Sequence, residues 1–341
     1  MPNNNRRFLL VRRPSGIPVE EDFSLVNGEV PVPGDGQIVV RNHYASLDPA
    51  IRGRMDDKPS YAEPIALGAV VGTSTVGVVV ASRHADFAEG QWVRCIGGIE
   101  DYSLVTPNMF TFAIDPNEVS SVTHYLSVLG PVGLTAYFGL LNVGRPKPGE
   151  TVLVSGAAGA VGSLVGQIAK IQGCRTVGIA GGEKKCQRLR DDYGYDAAID
   201  YRGKDLAAID AAIRQAAPSG VDVVFENIGG DILDASLLSI NQGARIALCG
   251  LISEYNKVDG DRGCRNLWQL IVKCASIQGF LVRQYIDQFP QGAAMMAQWI
   301  RDGKIRVDEH IDDGIENALP AFLRLFKGTN EGKMILKIAE S

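Results

Sequence analysis

TVLVSGAAGAVGSLVGQIAKIQG, residues 151–173, packs three structural signals into one short segment. Val152, Leu153 and Val154 make a short apolar run of the kind that a parallel sheet buries on both faces. Gly156, Gly159 and Gly162 follow at three-residue spacing. Behind them Val161, Leu164, Val165 and Ile168 fall at i, i+3, i+4 and i+7, one face of a helix. The segment reads as strand, glycine turn, helix. Glycines suit that turn because the backbone must bend tightly and let a pyrophosphate approach. The unpaired N–H groups of the first helical turn then meet the negative charge. Gly156, Gly159, Ala160, Val161 and Gly162 are the expected cradle. Spaced glycines alone occur in many structural turns; the flanking strand and helix carry the dinucleotide reading.

The next apolar run, TVGIA at 176–180, sharpens it. A unit that binds NAD places Asp or Glu at the end of this strand to hold the ribose 2′-hydroxyl. Here the strand runs into Gly181 and Gly182, Glu183 comes late, and Lys184 and Lys185 follow. A missing acid beside two cations suits a 2′-phosphate, so the expected cofactor is NADP(H). The alternative is a solvated first helical turn that carries both lysines.

Outward from this unit, strands and helices alternate. Strands are expected at 152–155, 176–180, 197–201, 221–226, 244–249 and 276–282, with helical patterns such as KDLAAIDAAIRQAA and ILDASLLSI between them. That alternation implies a Rossmann-type, doubly wound parallel sheet of the α/β class. The first 120 or so residues differ. Runs such as QIVVRNHYAS and VVGTSTVGVVVAS read as short strands joined by turns, a mostly β, partly barrel-shaped body. From residue 120, SSVTHYLSVLGPVGLTAYFGLLNVG reads as helical, and PKPGE breaks it. The tail holds one helix (IENALPAFLRLF) and one strand (KMILKI) that can complete the β body. The expected domains are therefore 1–120 with 303–341, and 121–302.

Composition bounds the function. The chain has 341 residues, 45% hydrophobic and 21% charged, which is room for about two domains. Net charge is −5 and no basic stripe points to nucleic acid. Arg6-Arg7 and Arg12-Arg13 flank the apolar FLLV and read as a solvated edge. No apolar run reaches a membrane span, and the apolar core near the N-terminus is too short for a secretory signal. The cysteines are Cys95, Cys174, Cys186, Cys249, Cys264 and Cys274, with no C-x-x-C pair. Reduced thiols, no structural zinc and a cytoplasmic location are expected.

Several strings then resemble the zinc-independent branch of the medium-chain dehydrogenase/reductase superfamily, in particular its NADPH-dependent curcumin, prostaglandin and alkenal double-bond reductases. They are SLDPAIRGRM (from Ser46), GLTAY (from Gly133), SGAAGAVGS, ENIGG (from Glu226), CGLISEYN (from Cys249), GFLV (from Gly279) and KGTNEGKMILKI (from Lys327). The resemblance covers almost the whole chain. It implies a GroES-like β domain beside the Rossmann domain, a homodimer, and reduction of the C=C bond of α,β-unsaturated ketones or aldehydes. Zinc-dependent relatives carry Cys and Gly-His-Glu where this chain reads YASLDP and LGAVVG, so a catalytic zinc is not expected.

The resemblance also implies site residues. Tyr255 matches a tyrosine beside the nicotinamide ribose and substrate carbonyl, and Tyr61 a tyrosine proposed as proton donor in the curcumin branch. Either phenol suits a developing enolate, because it is neutral at pH 7 and sits on an apolar ring. Lys185 is expected on the 2′-phosphate with Tyr201 and Gly181 beside it, and Thr135 near the nicotinamide. Cys249, Gly250, Ile252 and the backbone of Phe280, Leu281 and Val282 would line the cofactor groove. Asn330 would reach the phosphates or ribose, and Asn227 is a further candidate. The Cys249 thiol itself reads as a small apolar residue at a strand end rather than as a reactive group. The chain departs from the family pattern at Ala50, usually aromatic, at Leu67-Gly68-Ala69-Val70, and at GPVG before GLTAY. Two other functions stay open: a quinone reductase of the same fold, and an NADPH-binding sensor without turnover.

Overall fold

The computed structural model describes residues 4–258 and 263–339. Contacts divide the chain into two compact units, Met1–Leu126 with Glu309–Ser341, and Ser127–Asp308. The first opens with β1 (Asn5–Leu10), β2 (Phe23–Gly28), β3 (Ile38–Ser46), the short helix α1 (Ala50–Arg54), β4 (Gly72–Ser82), β5 (Trp92–Gly98), β6 (Tyr102–Val105) and β7 (Phe112–Ala113). The second begins with α2 (Pro131–Phe138), β8 (Thr151–Ser155), α3 (Ala160–Ile171), β9 (Arg175–Ala180), α4 (Glu183–Asp191), β10 (Ala197–Asp200) and α5 (Leu206–Ala216). It continues through β11 (Val221–Glu226), α6 (Gly230–Leu238), β12 (Ile240–Leu248), α7 (Trp268–Val272), β13 (Ser276–Gly279) and α8 (Phe289–Arg301). The chain then returns to the first unit with β14 (Glu309–Asp313), α9 (Ala318–Lys327) and β15 (Lys333–Lys337).

In the second unit the strands pair in parallel in the order β10-β9-β8-β11-β12-β13. Every residue of β8 is buried. Val152 and Val154 join one apolar cluster with Leu164, Val165 and Ile168 of α3. Leu153 joins the opposite one with Val177, Ile179, Ile209 and Ile213. The alternation of strand side chains thus feeds a core on each face of the sheet, as a doubly wound fold requires.

The first unit holds a seven-stranded sheet in the order β14-β15-β3-β4-β5-β7, with β6 also on β3, and a separate β1–β2 ribbon. Only β14 and β15 pair in parallel; the rest of that sheet is antiparallel. The tail strand β15 pairs with β3, so the β body is built from both ends of the chain. Phe8, Leu10, Phe23, Met55, Phe322, Met334 and Leu336 share its largest core cluster.

Three local expectations give way. The helix read across residues 120–144 is only a 3-10 turn at Val122–Tyr125, then α2, then a wider turn at Gly139–Gly144. The chain folds back at Gly133: a Cβ there would sit 1.8 Å from the Val128 carbonyl oxygen, and its N–H donates to Ser127 O at 3.0 Å. The last parallel strand stops at Gly279 instead of 282. Phe280 turns inward against Phe225, centroids 6.1 Å apart, and the Leu281 N–H donates to Gln284 Oε1 at 3.0 Å. The arginines near the N-terminus are engaged rather than merely solvated. Arg6 makes two bonds to Asp101, Arg12 one to buried Asp22 at 2.7 Å, and Arg13 binds the carbonyls of Met55 and Ile65. Among the described residues no helix is long and apolar enough to cross a membrane.

Candidate active site

The strand order reverses between β8 and β11, and ligands of such sheets bind beyond the carboxyl ends of the strands at that point. The glycine turn lies there. Gly156 has φ of +59°, which a side chain would strain. A Cβ on Gly162 would fall 2.4 Å from the Gly156 carbonyl oxygen and 2.8 Å from Ala157 Cα, so only glycine lets α3 start this close to the turn. The N–H groups of Ala160, Val161 and Gly162 open the helix, where no intrahelical acceptor precedes them. Buried Tyr195, just before β10, donates from Oη to the Gly162 carbonyl at 2.7 Å.

Across the switch point, β11 ends in Glu226, whose side chain is fully buried. Its Oε1 accepts from Ser155 Oγ at 2.8 Å, Ile228 N at 2.6 Å and Gly229 N at 2.7 Å. Its Oε2 has no hydrogen-bond partner among the described residues. Burial raises the Glu226 pKa above the ordinary carboxylate value, and the three donors only partly oppose this. Asn227 donates from Nδ2 to the Ser155 carbonyl at 2.7 Å, and its N–H reaches Ser155 Oγ at 2.8 Å. In the sequence Glu226 is marked only as a lone Glu closing an apolar strand, too weak a signal to single it out.

The segment after β12 is laced to the same loop. Cys249 N and Gly250 N donate to the Glu226 carbonyl, Ile252 N to Asn227 O and Ser253 N to Ile228 O, at 2.9–3.1 Å. Asn227, Cys249, Gly250 and Ile252 are therefore one assembly. Half-buried Tyr255 belongs to it: a Cβ on Gly250 would lie 3.2 Å from the Tyr255 Oη. Burial and the Glu226 charge push the Cys249 thiol up to about 12, which leaves it a poor nucleophile.

A second assembly surrounds the end of β9. Glu183, the late acid, pairs with Arg190 of its own helix at 2.5 Å. The Gly182 N–H donates to Asp200 Oδ1 at 2.7 Å. Burial works against ionisation of Asp200, yet the backbone donors at Arg202 and Gly182 hold its pKa below the ordinary value. Tyr201 and Arg202 lean over the glycines: a Cβ on Gly181 would be 3.2 Å from Tyr201 Oη and 3.2 Å from Arg202 Nε. Lys185 stands half-buried in the first turn of α4. Arg202 was not singled out from sequence, because a single Arg after a strand carries no motif.

The remaining candidates are spread out. Thr135 is half-buried in α2. Phe280 is packed in the core, Leu281 precedes a 3-10 turn and Val282 begins it. Tyr61 and Asn330 lie in the first unit. Tyr61 is 47% exposed and interacts electrostatically with Arg54, whose own pKa is lowered by burial. Asn330 is buried, and its amide donates to the Gly332 carbonyl at 3.0 Å. Among the described residues no three His, Cys, Asp or Glu side chains gather as a metal site.

A doubly wound sheet with this glycine turn at its switch point defines a dinucleotide-binding protein. Family models agree: one described as the N-terminal domain of oxidoreductase matches residues 6–112, and one described as zinc-binding dehydrogenase matches 160–298. An Escherichia coli NADPH-dependent curcumin reductase is 42% identical over 340 residues, 98% of this chain and 97% of that protein. A tobacco NADP-dependent 2-alkenal reductase is 38% identical over 98% of both chains. CurA from Vibrio vulnificus in complex with NADPH superposes with a TM-score of 0.93 at 41% identity, over 98% of this chain and 100% of that one. The chain belongs to the zinc-independent medium-chain dehydrogenase/reductase family, as an NADP-dependent oxidoreductase.

Proposed function

We propose that the chain is an NADPH-dependent reductase of the C=C bond of α,β-unsaturated ketones or aldehydes. The observation that carries the cofactor half is the end of β9: Glu183 is tied to Arg190, Asp200 is taken up by the Gly182 and Arg202 N–H groups, and Gly181 and Gly182 put no side chain of their own in the way. The reaction half rests on similarity to the curcumin and 2-alkenal reductases over almost the whole chain.

The residues fit the cofactor. The glycine turn and the first N–H groups of α3 would hold the pyrophosphate, and Lys185 with Tyr201 the 2′-phosphate. Thr135, Asn227, Cys249, Gly250, Ile252 and the Phe280–Leu281–Val282 backbone would complete the groove. NADPH, when bound, supplies a hydride for the β-carbon of the substrate. The chain then has to meet the negative charge that accumulates on the substrate carbonyl oxygen. A neutral phenol does so by donating its Oη–H to that oxygen. Tyr255 is our first choice, because the Cys249–Ser253 segment just before it is hydrogen-bonded to the Glu226–Ile228 loop; Tyr61 is the second.

The test is NADPH oxidation with an enone, a quinone and no acceptor. Enone turnover by the wild type is expected, with a loss of about 10²-fold in Tyr255→Phe and unchanged NADPH affinity. Turnover of the quinone alone would reject the reading. A full-rate Tyr255→Phe with a crippled Tyr61→Phe would move the donor role to Tyr61.

The proposed assembly is a homodimer, and the six free thiols suit a reducing cytoplasm. β13 is the end strand of its sheet. The helix that precedes it in the chain, α7, exposes Trp268 and Ile271, each at 67%. A second copy pairing edge to edge would cover both. Light scattering at micromolar concentration should give twice the chain mass, and Ile271→Asp should halve it.

A further inference from the structure

The guanidinium of Arg202 is set apart from the other basic groups around the end of β9. Its backbone N–H donates to Asp200 Oδ1 at 3.0 Å, which fixes where the residue leaves the strand. Its side chain then lies along the glycine pair. A Cβ on Gly181 would be 3.2 Å from Nε, and a Cβ on Gly182 would be 3.2 Å from Nη1. Tyr201 Oη is held at the same 3.2 Å from the Gly181 position. Two donors of different kinds therefore converge on a patch of backbone kept bare by two glycines. Two of the neighbouring basic side chains are committed elsewhere: Lys204 Nζ donates to the Asp200 carbonyl at 2.7 Å, and Arg190 pairs with Glu183, while Lys185 of α4 remains the proposed cation for the 2′-phosphate. Within 4.0 Å, no carboxylate of the described residues pairs with the Arg202 guanidinium. A planar fork of N–H donors that meets the Asp200 carboxylate only beyond ion-pair distance, lying over a shelf without side chains, has the chemistry of a phosphomonoester receptor.

We propose that Arg202 is a specificity-determining residue that binds the 2′-phosphate of NADPH, with Tyr201 Oη as its neutral companion on the Gly181–Gly182 shelf. This rests on the reading of the chain as NADPH-dependent. Arg202 presents two donors in one plane, so it distinguishes a phosphate dianion from a hydroxyl by geometry as well as charge. Gly181 has its own part: any side chain there displaces both donors.

Binding of adenosine 2′,5′-bisphosphate and of ADP, measured by calorimetry on the full chain, separates the possibilities. Neither probe carries nicotinamide, so turnover is not involved. The wild type should prefer the bisphosphate. Arg202→Ala should weaken the bisphosphate about tenfold and ADP less than twofold, and Arg202→Lys should recover part of the loss. Gly181→Ala should lower the same preference, with ADP affinity again reporting an intact fold. The wild-type preference should shrink as salt rises and shrink less in Arg202→Ala. If the wild type prefers the bisphosphate and Arg202→Ala keeps that preference, Arg202 is only a surface residue and the proposal is wrong. If the wild type shows no preference at all, the NADPH reading itself falls, and Arg202's role with it.

Discussion

Replacing Glu226 tests how the switch point is built. Its Oε1 gathers three donors at 2.6–2.8 Å, two of them backbone N–H groups of the Ile228–Gly229 turn. Glu226→Ala strands those donors in a fully buried site. The Ser155 hydroxyl can rotate to a new acceptor, but the two N–H groups cannot. At roughly 1–3 kcal/mol per unmet buried donor, the loss should be about 3 kcal/mol. Glu226→Gln keeps the accepting oxygen and changes only the unpartnered Oε2, so it should cost about 1 kcal/mol at pH 5. The pH dependence supplies the sharper test. Burial raises this pKa on folding, so the folded protein holds the proton more tightly than the unfolded chain. The corresponding stability is complete below the unfolded Glu value of about 4.3 and is lost as pH climbs through the raised folded value. Glutamine does not titrate. Urea unfolding of both proteins from pH 5 to pH 8 should therefore show the gap closing in favour of Glu226→Gln. A gap that widens with pH would mean that the ionised carboxylate is the stabilised form, and the reasoning from burial would be refuted. Equal damage from Ala and Gln would refute the donor count.

Gly162→Ala should weaken NADPH binding at least tenfold in a fluorescence titration, because its Cβ meets the Gly156 carbonyl at 2.4 Å and opens the turn. Lys185→Ala should raise the KM for NADPH about tenfold or more and leave NADH use nearly unchanged; a wild type that uses both cofactors equally would contradict this. Elemental analysis should find no stoichiometric zinc, and chelator should leave turnover intact.

The β8–α3 unit was legible because three independent signals coincide within residues 151–173: an apolar strand, spaced glycines and an i, i+3, i+4 stripe. Local sequence settles such a unit by itself. The segment from 120 to 144 misled for the opposite reason. Its apolar spacing is helical, but Gly133 brings two backbone stretches into contact, and that fold-back is invisible to periodicity. β13 was overextended because Phe280 looks like a strand residue until its ring is seen to close over Phe225. Glu226 and Arg202 were missed because their roles depend on neighbours far along the chain. Glu226 meets Ser155 across 71 positions, and Arg202 lies over a glycine pair some 20 positions earlier.

The Tyr195–Gly162 hydrogen bond has a bearing on how tightly a doubly charged ligand can be held. Gly162 opens α3 behind the glycine turn, and Tyr195 leads into β10, whose far end carries Tyr201 and Arg202. A buried phenol thus braces the first turn of one helix against the strand that delivers the other donor set. The spacing between the two turns is set before any ligand arrives. A molecule with phosphates at both places finds its second contact at high effective concentration and spends little entropy in ordering the chain. Tyr195→Phe removes the brace while the ring stays packed. It should leave each phosphate fragment bound as before and selectively weaken the molecule that spans both.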